Sequence, residues 1–144
     1  ALHMLERASA ANHPGALVEL GLAYYAGRWV QRSETKAAEL WARAAALGSG
    51  EAVVRSAIVT VRSGRGDIET AVRELQNAAR RGSVLAEFAL GFCYETGRGL
   101  PQNKGEAARF YRNSAQRGSQ DAYRALVRLH DEIRPHDKEF VIVH

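Results

Sequence analysis

Apolar residues in this chain recur three and four positions apart. Leu17, Leu20 and Tyr24 share one helical face, as do Ala37, Leu40, Trp41, Ala44 and Ala45. That is the period of an amphipathic α-helix; strand-like alternation is absent before the last few residues. The spacing predicts helices over roughly 14–26, 34–47, 51–63, 68–81, 84–96, 104–117 and 120–133. Polar punctuation agrees. Ser33, Asp67 and Asn103 stand where helices should begin, and each can accept a hydrogen bond from a free N–H of the first turn. Asn103 and Glu106 have the spacing of a capping box. Gly48, Gly82 and Gly118 stand where helices should end, because glycine enters the left-handed region without a Cβ clash. The serine after each can cap the next helix at once.

The punctuation repeats. Gly48-Ser49, Gly82-Ser83 and Gly118-Ser119 lie 34 and 36 residues apart. Each is preceded by a small pair (Ala44-Ala45, Ala78-Ala79, Ser114-Ala115) and, before that, by a bulky residue, Trp41, Leu75 or Tyr111. Ala52, Ala86 and Ala122 follow. A second motif, Leu20-Gly21-x-x-Tyr24-x-x-Gly27, returns as Leu90-Gly91-x-x-Tyr94-x-x-Gly97. A fixed period of this length marks a helical repeat array in which each unit is helix A, a loop, helix B and a tight turn. Laying Leu5–Ala16 on Trp41–Ala52 sets Asn12 on Gly48, and Asn is the next-best residue at a left-handed helix stop. The units are then a half-repeat at 4–11, repeats at 13–48, 49–82 (degenerate) and 83–118, a half-repeat at 119–133 and a tail at 134–144, all within one repeat domain. His130 and Ile133 replace the expected Tyr and Gly, and Pro135 is expected to help end the last helix. The array reads as a piece of a longer repeat protein whose cut ends invite self-association. The β-prone tail 140–143 either docks on this chain or a neighbour, or stays disordered.

These motifs resemble the Sel1-like repeat of the tetratricopeptide-like superfamily. The similarity covers about residues 5–130 and is strongest in the first and third repeats. The middle repeat departs from it, with Ser56-Ala57 for Leu-Gly, Thr60 for Tyr and a shorter loop. Tetratricopeptide repeats share the general plan, but the Gly97-x-Gly99 loop and the lack of Pro after helix B favour the Sel1-like type. The resemblance implies an all-α, right-handed α-solenoid of antiparallel helix pairs. It also implies a non-catalytic adaptor, mostly in bacteria, in signalling, envelope or secretion complexes. Stacking gives the small residues a reason: Gly21, Gly91 and the alanine pairs admit close helix approach, while Trp41 and Tyr111 fill gaps between units.

Composition narrows the field. A chain of 144 residues, 46% hydrophobic and 25% charged, can bury a core and is too apolar for disorder. No run approaches the roughly 20 apolar residues of a membrane-spanning helix. Residues 1–11 lack the basic-then-apolar order of a signal peptide, and the sequence decides neither for cytoplasm nor for periplasm. One cysteine excludes an internal disulfide framework. The net charge is +4, from 20 basic residues that are mostly arginine. They are dispersed rather than blocked, which argues for a solvated surface over a nucleic-acid footprint.

No residue cluster announces catalysis, a cofactor or a metal. Cys93 lies on an apolar helical stretch beside Tyr94 and reads as core. His130, Asp131, Glu132, His136 and Asp137 could hold a metal weakly, but a polar array end explains them more simply. Arg65-Gly66-Asp67 spells an integrin-binding tripeptide, yet it falls at an A–B turn with Asp67 as helix cap. Gly97-Arg98-Gly99 lacks the Lys-Ser/Thr of a phosphate loop. Arg80, Arg81 and Arg117 fall in last turns of B helices, where they suit the negative dipole end. What remains is a binding surface. In arrays of helix pairs the A helices line the concave side. The residues flanking the packing stripe are then candidate contacts for a protein or peptide partner. They are Val18, Leu22 and Tyr25 in the first unit and Val54, Ile58 and Val61 in the second. In the third they are Phe88, Phe92 and Glu95, and in the last Arg124, Arg128 and Asp131. The competing expectations are core packing for the apolar members, an enzyme or binder acting on cell-wall or small ligands, and an anionic-polymer binder using surface arginines.

Overall fold

The structure, a computed structural model, describes residues 2–142, with side chains described as far as Glu132. Among the described residues every regular element is an α-helix: α1 (Leu2–Ala10), α2 (Pro14–Ala26), α3 (Glu34–Ala46), α4 (Gly50–Ser63), α5 (Ile68–Arg80), α6 (Val84–Thr96), α7 (Lys104–Gln116) and α8 (Gln120–Ile142). The chain divides into two compact units, Ala1–Glu74 and Leu75–His144.

In the first unit α2 packs on α3, α1 on α2, and α3 on α4. Its core gathers Leu17, Val18, Ala37, Trp41, Ala44 and Ala52. Trp41 is the centre of this packing. Its indole N–H donates to the carbonyl of Val18 at 3.2 Å. A Cβ placed on Gly21 would stand 2.4 Å from Trp41 Nε1, so only glycine lets the ring lie flat on α2. In the second unit α6 packs on α7, and α7 on α8, around Ala107, Tyr111, Ala122, Ala125 and Leu129. The same device returns: a Cβ on Gly91 would stand 2.5 Å from Tyr111 Cε1. The two large rings therefore seat on the glycine of their own helix pair. Each ring also shares a core with the helix that follows, Trp41 with Ala52 of α4 and Tyr111 with Ala122 of α8, as expected of side chains between successive units. The glycine notch makes the closest approach available inside the pair.

The predicted caps form. Ser33 Oγ accepts from Lys36 N at 3.2 Å, Asp67 Oδ1 from Thr70 N at 3.0 Å, and Asn103 Oδ1 from Glu106 N at 3.0 Å. Ser49, Ser83 and Ser119 cap the helices after the tight turns. Gly48, Gly82 and Gly118 have φ of 96°, 94° and 105°. The N–H of Ser49 reaches back to Ala44 O at 3.0 Å, the wide hydrogen bond of a Schellman stop. Asn12 takes φ 60°, as its alignment with Gly48 required. Two expectations need correction. The capping box at Asn103 is half-formed, because its backbone N–H donates to Tyr94 O at 2.8 Å and the Glu106 carboxylate takes Arg109. And α8 does not end at Ile133 but runs to Ile142, through Pro135. Proline's fixed φ is helical, so it removes one N–H donor without forbidding the backbone path. Segment 134–142 is thus helical rather than a β-prone tail; the side chains of 133–144, and any docking by them, lie outside the described residues.

Candidate functional site

The twelve candidate contacts separate by burial. Val18, Val54 and Val61 are buried, Val61 completely, and offer no surface to a partner. Val18 belongs to the Trp41 core, packed in one cluster with Leu17, Ala37 and Trp41. Leu22, Tyr25, Ile58, Phe88, Phe92 and Glu95 are half-buried, and Arg124, Arg128 and Asp131 are exposed. Tyr25 leans on Trp41 with ring centroids 5.7 Å apart. Phe88 does the same on Tyr111 at 5.8 Å, so its inner edge is core. In the first unit Leu22 and Tyr25 thus present outer edges on α2; in the second Phe92 does so on α6.

Glu95 and Arg128, expected as separate charged contacts, hold each other. Arg128 grips Glu95 with both terminal nitrogens, at 2.5 and 2.8 Å, and reaches Glu132 at 3.1 Å. The Tyr111 hydroxyl donates to the same Glu95 carboxylate at 2.7 Å, and Lys104 lies 3.7 Å from Glu132. Glu95 is on α6, Tyr111 on α7 and Arg128 on α8, so one carboxylate ties three helices. The hydrogen bond from Arg128 holds the Glu95 carboxyl below its usual range; burial opposes this and the Tyr111 hydroxyl adds to it. Burial, and after it the bond to Glu95, pushes the Tyr111 hydroxyl well up. Arg124 and Asp131 remain at the surface of α8, beside Tyr123 and Val127 in a shallow depression.

The other chemical candidates are structural. The Cys93 thiol is fully buried, and burial pushes it up to about 11, far from a nucleophile's range. Asp67 is held low by the Thr70 hydroxyl and then by the Thr70 N–H, as a helix cap. No group of three His, Cys, Asp or Glu with metal-binding geometry occurs among the described residues; His136 and Asp137 have undescribed side chains. No described helix is long and apolar enough to cross a membrane.

Three features escaped sequence reasoning. His13 caps α2, its Nδ1 accepting from Ala16 N at 3.3 Å, in the place serine takes elsewhere. Glu87 is buried and paired with Arg117, which therefore answers a carboxylate across the helix pair rather than only a helix dipole. The signal was available: Glu87 aligns with Leu17, and a carboxylate at a core position demands a partner. The third is Trp29, at φ 68° with its ring exposed. It aligns with Gly99, at φ 76°.

Comparison with known proteins places this geometry. The Sel1 repeat family matches residues 14–49 and 84–119. Among solved structures, a Sel1 repeat protein from Oxalobacter formigenes is 26% identical with a TM-score of 0.60, covering 84% of this chain and 50% of that one. A protective antigen of uropathogenic Escherichia coli with an SLR fold is 27% identical with a TM-score of 0.62, covering 85% and 27%. Cysteine rich protein B of Helicobacter pylori, 20% identical with a TM-score of 0.55, shares the fold over 85% of this chain and 94% of its own. The rat protein named DAP3-binding cell death enhancer 1 is 34% identical over 91 residues, which are 63% of this chain and 18% of that protein. The chain thus spans under a fifth of that relative's length.

Proposed function

The chain belongs to the Sel1 repeat family, whose members generally mediate protein–protein interaction, and from that premise we propose that it is a non-catalytic scaffold that takes a protein or peptide partner on its A-helix faces. One observation carries the reading. The A helices leave half-buried apolar edges at the surface, Leu22, Tyr25 and Ile58 in the first unit and Phe92 in the second. The described groups with shifted acidity are spent on structure: Asp67 in a cap, Glu95 and Arg128 in an ion pair, Arg109 on Glu106, Cys93 in the core. Catalysis would need such groups gathered in a cleft with an activating neighbour. Apolar edges rimmed by charge suit an amphipathic helix or an extended peptide. The name of the rodent relatives, a DAP3-binding protein, is consistent with a protein-binding role for this fold.

The test is substitution of Leu22, Tyr25 and Phe92 singly by Ala, with folding and partner capture measured together. Lost capture with an intact fold supports the A-helix faces. Lost stability at these positions, with capture unchanged in whatever remains folded, would return them to the core. An enzyme or binder for cell-wall or small ligands, or an anionic-polymer binder using arginines, would show instead as turnover or as salt-sensitive DNA binding.

A further inference from the structure

The loop after α2 carries a large side chain where its counterpart after α6 carries none. Trp29 lies in the left-handed region at φ 68° and is 58% exposed. The aligned residue, Gly99, has φ 76°. Bulky L-residues are rare in this conformation because the Cβ crowds the backbone. The ring is mostly in water, so core burial does not repay the strain. Neither folding argument accounts for a tryptophan here.

Three arginines stand by aromatic rings in and beside this loop. The Arg28 guanidinium stands 5.9 Å from the Trp29 ring centroid. Arg32, from the same loop, lies 5.6 Å from the Tyr25 ring centroid, and Arg62 donates to the Tyr25 hydroxyl at 3.4 Å. Tyr25, Arg32, Arg62 and Glu34 help line a pocket of about 230 Å³ within the first unit. Glu34 is the carboxylate of that lining, and Arg32 holds it at 3.0 Å.

We propose that this loop and the adjoining pocket dock an acidic, extended segment of a partner protein, its carboxylates on Arg28 and Arg32 and an apolar side chain on Trp29. The arginine fork matches a carboxylate in two-point geometry, and an incoming carboxylate can replace Glu34 on Arg32. Tryptophan and arginine are the residue types that concentrate binding energy at interfaces. A single-stranded nucleic acid fits less well, because it needs successive open aromatic faces along a basic groove. Here one ring is open, while Tyr25 is half-buried against Trp41 with Arg32 beside it. The proposal rests on the protein-binding reading and adds the partner's chemistry and its place.

The experiment titrates the full chain with three fluorescein-labelled probes: a glutamate-rich peptide containing one leucine, the same peptide with glutamine for every glutamate, and an oligouridylate. The acidic peptide should bind, weaken with salt, and exceed the glutamine peptide by about tenfold or more. It should also shield Trp29 from acrylamide quenching, a clean signal because the other tryptophan, Trp41, is only 2% exposed. Trp29→Gly restores the counterpart's residue, so it should keep or raise the unfolding midpoint while weakening the acidic peptide by roughly tenfold. Arg28→Gln should weaken it too. Tighter binding of the oligouridylate, no binding of the acidic peptide, or a Trp29→Gly variant that loses stability but keeps affinity would overturn the proposal. Equal affinity for the two peptides would overturn it as well, while leaving the protein-binding reading to be judged by Phe92→Ala.

Discussion

At the scale of single residues, glycine decides how close helices come and how they stop. Gly91 admits the Tyr111 ring, and a methyl there would sit well inside contact distance. Gly91→Ala should therefore cost about 1–3 kcal/mol in urea unfolding, the usual penalty of overpacking. Trimming the opposing ring in the double variant Gly91→Ala/Tyr111→Leu should recover part of what Gly91→Ala adds, and strict additivity would contradict the contact. Gly82 acts differently. Its φ of 94° is the left-handed stop after α5, and the Arg117 guanidinium lies 3.5 Å from where a Cβ would be. Gly82→Val should cost roughly 1–2 kcal/mol through backbone strain. An unchanged unfolding midpoint would mean the stop is placed wrongly. The stops were legible because glycine recurs with the period. Trp29 was not, because at that position the sequence breaks the pattern that reveals the conformation.

At the scale of helices, periodicity located the elements and the caps fixed their starts, so α2 to α7 fall where the pattern put them, within about two residues. What the pattern could not give is how charge is shared between helices. Glu95, Tyr111 and Arg128 are distant in sequence and meet only when α6, α7 and α8 pack. This cluster makes stability depend on pH. The folded-state acidity of Glu95 is shifted down, so the stabilising contribution is fully present above the ordinary carboxylate range. It should fade as pH falls through that range toward the lower folded value. Urea midpoints measured from neutral to acid pH should drop in the parent, with a shallower fall in Glu95→Gln. Parallel curves would assign the acid sensitivity to other carboxylates. The end of α8 was also beyond the pattern. Pro135 reads as a stop by local preference, yet a helix can carry it at the loss of one hydrogen bond.

At the scale of the whole molecule, family and fold class were legible because two motifs recur in fixed order. Each motif has a physical reason: a glycine notch that seats a ring, and a glycine stop followed by a serine cap. The proposed partner surface was legible only in part. Helical spacing says which residues share a face, but one residue of rotation moves Val18, Val54 and Val61 from the surface to the core. Leu22, Tyr25 and Phe92 keep an outer edge and carry the proposal. The most direct measurement places a photo-crosslinking phenylalanine analogue at Leu22 or Phe92, and at Glu39 or Arg112 on the exposed sides of α3 and α7 as controls, in the chain exposed to its native extract. The account predicts a discrete protein adduct from Leu22 or Phe92 and none from Glu39 or Arg112. Adducts from the α3 and α7 positions with none from α2 or α6 would contradict it.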